Sequence, residues 1–105
     1  MPPVDYPRVS AADHNQIHDI ENAVISYMQG HYNNLQVRRY GQFVTFVKNN
    51  TKLILNVKRN GKVRVHMAVR DPVANIWIKQ SSHLFYDGFR VTFLQEACLD
   101  LFRRY

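Results

Sequence analysis

The sequence predicts an α+β domain with an N-terminal helix, an antiparallel sheet of three to five strands and a C-terminal helix packed on one sheet face. Three observations carry this. Ile17, Ile20, Val24, Tyr27 and Met28 recur at helical spacing. From Leu35 onward the apolar period changes to two, the mark of strands. Phe93, Leu94, Ala97, Cys98, Leu101 and Phe102 then restore a helical stripe near the C-terminus. The chain has 105 residues, 46% of them apolar, which suits a single domain with a real core over residues 10–105. Pro2, Pro3 and Pro7 set off residues 1–9 as a flexible N-terminal arm.

Ser10 opens the first helix. Its hydroxyl can accept early backbone N–H groups, and Asp13 places a carboxylate in the first turn. Gly30 is a natural stop. The polar side of this helix is acidic and its apolar stripe is narrow. That pattern serves packing on the sheet or pairing with a second copy, so a homodimer stays open.

Phe43–Lys48, Thr51–Lys58 and Lys62–Arg70 alternate and are rich in Val, Ile, Leu and Phe. Parity tests the turns between them. A two-residue turn at Asn49-Asn50 pairs Lys48 with Thr51, Phe46 with Leu53 and Val44 with Leu55, apolar on apolar. A two-residue turn at Asn60-Gly61 sets Val63 against Lys58 and Val65 against Asn56, which buries lysine or exposes valine. A three-residue loop, Arg59-Asn60-Gly61 with Gly61 left-handed, restores Val57 with Val63, Leu55 with Val65 and Leu53 with Met67. The longer loop is therefore the prediction. Asp71-Pro72 ends the third strand. Ile76–Lys79 reads as another strand, and Leu84–Tyr86 and Phe89–Val91 read as a short strand pair or turn around Asp87-Gly88. Thr92 and Gln95 have capping-box spacing at the start of the last helix. Arg103 and Arg104 sit at its negative end.

Charge is distributed unevenly. Asn22 to Arg70, 49 residues, holds no Asp or Glu and nine Lys and Arg, whereas residues 1–21 sum to −3 and residues 71–105 to zero. The net +6 thus comes from one block. Such a field attracts polyanions or an acidic protein surface. The parity that sends Val44, Phe46, Leu53, Leu55, Val57, Val63, Val65, Met67 and Val69 to the helices assigns the opposite sheet face as well. That face carries Phe43, Thr45 and Val47, then Lys52, Ile54, Asn56 and Lys58, then Lys62, Arg64, His66, Ala68 and Arg70. Lys and Arg neutralise phosphates and release counterions. A lone exposed Phe43 among them offers a base-stacking surface. The expectation is a small non-catalytic protein that binds RNA or single-stranded nucleic acid. Its contacts are Lys52, Lys58, Lys62, Arg64 and Arg70, helped by Arg38, Arg39 and Arg59, with His66 tuning the charge. The alternative is an adaptor, assembly subunit or inhibitor that presents the same face to an acidic protein partner.

Other chemistries lack their residues. There is no Gly-rich phosphate loop, nucleophile elbow or carboxylate pair. Asp71 and Asp87 belong to turns, Glu96 and Asp100 to a helix surface. No enzymatic activity and no cofactor are predicted. His14 and His18, with Glu21 a turn further along, have ligand-like spacing without an HExxH arrangement or a cysteine partner, and the histidines read as exposed or interface residues on a polar helix face. Cys98, the only cysteine, falls in an apolar stripe as a buried thiol. No internal disulfide can form, which fits a cytoplasmic or nuclear setting, and MPPVDYPRVS does not read as a secretory signal. The apolar runs are too short to span a bilayer. Tyr32, Tyr40, Trp77, Phe85, Tyr86 and Phe89 plug the sheet against the helices, with Trp77 and Tyr86 as alternative partner contacts.

The order helix, antiparallel strands, helix is that of the double-stranded-RNA-binding domain. That family begins its last helix with lysines, and here the segment reads Phe93-Leu94-Gln95-Glu96. The aromatic motifs of RNA-recognition domains are missing too. No family is assigned and no residues are carried over.

Overall fold

The computed structural model describes residues 14–59, 61–86 and 89–105. The element order is helix α1 (His14–His31), strands β1 (Gln36–Arg39), β2 (Val44–Lys48), β3 (Thr51–Val57), β4 (Val63–Asp71) and β5 (Ile76–Phe85), then helix α2 (Val91–Arg104). The strands form one antiparallel sheet in chain order, β1-β2-β3-β4-β5. The arm at 1–9 and the helix start at Ser10 and Asp13 lie outside the described residues.

Both hairpin registers follow the parity argument. Lys48 pairs with Thr51, Phe46 with Leu53 and Val44 with Leu55. Val57 pairs with Val63, Leu55 with Val65 and Leu53 with Met67. The Lys58 N–H donates to the Lys62 carbonyl at 2.9 Å, and the Gly61 N–H to the Lys58 carbonyl at 3.1 Å. Gly61 has φ 84, a left-handed conformation that costs glycine nothing. Asn49 takes φ 55 in the shorter turn, which asparagine tolerates. Asp71 closes β4 by accepting from the Val73 and Ala74 N–H groups at 2.9 and 3.3 Å.

The core lies between the helices and one sheet face. Val44, Phe46, Leu53, Leu55, Val63, Val65 and Met67 are fully buried there, with Ile20, Val24 and Met28 from α1 and Leu94 and Cys98 from α2. Each such aliphatic or aromatic side chain contributes about 1.5–3 kcal/mol by leaving water. The α1 stripe packs on α2 and β3 of its own chain, and α2 packs on β3 and β4. The Gln95 side-chain amide donates to the Ala23 carbonyl at 3.0 Å and ties the helices together. Val69, assigned to the helix-facing set, is only half-buried, because it lies toward the β4 end beyond the core cluster.

Four expectations are corrected. The segment from Ile76 to Phe85 is one ten-residue strand, and Val91 opens α2, so no strand pairs Leu84–Tyr86 with Phe89–Val91. A bulge in the β4–β5 ladder at Met67/Ala68 leaves Gln80 without a partner and switches the parity of β5. Thr92 is not the cap: the cap lies two residues earlier, at Arg90 in extended conformation, and buried Gln95 reaches α1 instead. Phe93 is 56% exposed, and Val91 and Leu99 take places in the core. The aromatic residues divide. Tyr32 meets Phe102 edge-on at 5.3 Å and Phe85 meets Phe89 at 6.5 Å, whereas Tyr40, Trp77 and Tyr86 do not plug the sheet against the helices.

Candidate nucleic-acid interface

The second sheet face belongs to neither helix. Register makes its rows explicit. Lys52, Ala68 and Lys79 are neighbours across β3, β4 and β5. Ile54, His66 and Ser82 form the next row, and Asn56, Arg64 and Leu84 the one after. Lys58 and Lys62 face each other at the loop end. Arg70 pairs with Trp77 at the other end, and Arg38 with Thr45 on the β1 side. These rows gather seven cations: Arg38, Lys52, Lys58, Lys62, Arg64, Arg70 and Lys79. Like charges opposed across strands repel unless an anion intervenes.

Among the described residues no carboxylate shares this face. Asp19 and Glu21 are on α1, Glu96 and Asp100 on α2, and Asp71, the last residue of β4, has the helix-side parity. The charges are met otherwise. Lys52 Nζ lies 4.4 Å from the centre of the Trp77 ring and Lys62 Nζ 5.4 Å from that of Tyr86. Such contacts stabilise a cation by about 0.5–1 kcal/mol and leave its N–H donors available. Arg70 donates to the Asn75 side-chain oxygen at 3.3 Å. With the Gln36 amide turned so that its oxygen faces Arg38, the guanidinium donates to it at 3.2 and 2.9 Å.

The centre of the face is the least compensated part. Arg64 Nε and His66 Nδ1 are buried and have no hydrogen-bond partner among the described residues. Desolvation first, then the charges of Lys79, Arg64 and Lys58, lower the His66 pKa below its ordinary 6.5. That imidazole senses three of the face's cations at once.

The structure distributes the expected site residues as follows. Arg38, Lys52, Lys58, Lys62, Arg64, His66 and Arg70 share the helix-free face, and exposed Arg59 lies in the loop at its end. Arg39 does not belong to it. Its strand parity turns it toward α1, where it approaches buried Glu21 at 3.6 Å and donates to the Asn22 side-chain oxygen. A carboxylate taken out of water needs such a partner. Phe43 is not a lone exposed ring. It is half-buried and stacked on Tyr40, centroids 4.7 Å apart and planes at 23°. The Tyr40 N–H donates to the Phe43 carbonyl at 2.8 Å and closes the β1–β2 turn. Lys79 and Trp77 joined the face without being expected there, because the bulge hides the β5 parity. The signal in the sequence was the single lysine of Ile76–Lys79, two positions past Trp77 on the same strand parity.

His18 Nδ1 lies 3.2 Å from the Glu21 carboxylate, which also faces Arg39. Among the described residues no three His, Cys, Asp or Glu side chains gather as metal ligands. Cys98 is fully buried, and burial pushes its pKa up to about 12. No helix among the described residues is long and apolar enough to cross a membrane.

Comparison with protein-family models, curated proteins and solved structures finds no match for this chain.

Proposed function

We propose that this chain is a non-catalytic nucleic-acid-binding protein that lays RNA or another single strand across its helix-free sheet face. The observation that supports this most is the gathering of seven cations on a face that carries no carboxylate among the described residues. A phosphate chain brings negative charge to such a face. Arg64 and His66 hold the centre, Lys52 and Lys79 one flank, and Lys58 and Lys62 the other. The Tyr40–Phe43 stack and the rings of Trp77 and Tyr86 provide flat surfaces at the margins for unstacked bases. Each phosphate met releases counterions, so affinity falls with salt. The buried, unpaired thiol of Cys98 suits a reducing setting such as cytoplasm or nucleus.

The test is a salt series with a short single-stranded oligonucleotide. Five phosphate contacts on a single strand give a log–log slope of about −3.5, or about a hundredfold loss between about 50 and about 200 mM salt. A slope near zero, or no retention at low salt, overturns the reading. In that case an acidic protein partner, released from a pull-down by Lys62→Glu with Arg64→Glu, becomes the better account of the face.

A further inference from the structure

One end of the basic face runs into a cleft. It lies between α1 and the β1–β2 turn and has a volume of about 520 Å³, within the roughly 300–1,000 Å³ of small-molecule sites. Among the described residues Arg39, Lys58 and Arg59 bring three cations to its lining, and Glu21 brings a carboxylate. Tyr40, 49% exposed and braced by Phe43, adds an aromatic wall. The Asn56 side chain belongs both to the cleft and to the sheet face, between Phe43's end of β2 and Arg64.

These groups match the parts of a nucleotide. Lysine and arginine meet a phosphate. A rigid tyrosine ring takes the flat side of a base. The Glu21 carboxylate is 7% exposed and already receives His18 and Arg39, yet a carboxylate has about four acceptor positions and can take one more donor. An exocyclic amino group such as that of cytosine supplies it. We infer that this cleft seats one nucleotide, with its phosphate at Lys58 and Arg59, its base against Tyr40 and its amino edge toward Glu21. The inference rests on the sheet face being a strand-binding surface, of which the cleft is a base-selective subsite. A free nucleotide offers the same chemistry, and the experiment separates the two sources.

The experiment is a titration of the full chain, followed through backbone amide resonances, with cytidine monophosphate, uridine monophosphate and inorganic phosphate. Cytidine monophosphate should shift the amides of Gly41, Gln42 and Asn56 saturably. Uridine monophosphate, which lacks the amino group, should bind at least about tenfold more weakly. Phosphate alone should not reproduce the shifts. Tyr40→Ala, at an exposed side chain, should weaken cytidine monophosphate about tenfold. An oligocytidine that binds more than tenfold tighter and is displaced from the same amides by the monophosphate identifies a strand as the occupant. Equal affinity identifies the free nucleotide. Absence of saturable shifts at those amides, equal shifts with phosphate, or indifference to Tyr40→Ala overturns the cleft. An oligonucleotide held while the cleft stays silent sinks this inference and leaves the sheet-face reading standing. Cytidine monophosphate in the cleft with no oligonucleotide retained does the reverse.

Discussion

The two faces of the sheet use the same backbone for opposite purposes. On one face Phe46, Leu53, Leu55, Val63, Val65 and Met67 are fully excluded from water beneath two helices. On the other, the alternate residues of the same strands are Lys52, Asn56, Arg64, His66 and Arg70. The first face is explained by burial alone. The second is not, because it concentrates cations with no carboxylate among the described residues and buries two polar atoms that find no partner there. Stability and binding should therefore separate cleanly between alternate residues of one strand.

The strongest way to break that division is on the helix side. Phe46→Ala removes a fully buried ring at the centre of the core and should cost about 3–5 kcal/mol. For a domain whose whole stability is on the order of 5–15 kcal/mol, a urea titration followed by circular dichroism will show much of it gone. The Cys98 thiol reports the same event. Buried, with its pKa pushed up to about 12, it should resist a disulfide reagent in the folded wild type and react quickly in the variant. Rapid labelling of the native wild type would mean that α2 opens readily and that the helix-covered face is less closed than described.

On the opposite face, Lys62→Glu with Arg64→Glu should change the unfolding free energy read from the urea titration by only about 1 kcal/mol, the scale of a surface contact such as that of Lys62 with Tyr86. Oligonucleotide affinity at low salt should fall about a hundredfold, with a salt slope shallower by about 1.4 for two lost contacts. A matched loss of stability would show that these cations hold the sheet and do not serve a ligand. Trp77 sharpens the test, since it is the only tryptophan and lies under Lys52 on this face. Its emission should change on saturation with the oligonucleotide and stay constant in the double variant.

How far the sequence could be read depended on unbroken alternation. β2, β3 and β4 keep strict period two, and their turns have lengths that parity itself selects. Their register and both of their faces were therefore legible down to the loop at Gly61. β5 was not, because Gln80 bulges and moves the outward set from Trp77 and Lys79 to Ser82 and Leu84. Its middle residues, Lys79 to His83, are polar on either parity at a sheet edge. Arg39 escaped for a different reason. Charge counts treat all arginines alike, and only the pairing of β1 with β2 shows which of Arg38 and Arg39 turns toward Glu21. Phe43 looked solitary because Tyr40 lies across a turn that no hydrophobic period announces.

The smallest effect is also the most local. His66 lies between Ile54 and Ser82, and burial together with Lys79, Arg64 and Lys58 holds its pKa below 6.5. At pH 7 the ring is neutral in the folded protein. As pH drops below 6.5 the unfolded chain takes up a proton more readily, so this residue lowers stability progressively until the folded pKa is reached. A phosphate beside the ring acts in the opposite direction. It offsets the three cations and raises the folded pKa, so binding in that window takes up a proton and strengthens as pH falls. His66→Ala isolates the contribution by flattening its share of the profile. A strand that binds with full salt dependence yet leaves the His66 ring titration unmoved must cross the face elsewhere, over the Lys58–Lys62 end. The centre of the sheet, where Arg64 Nε has no partner among the described residues, would then need another explanation.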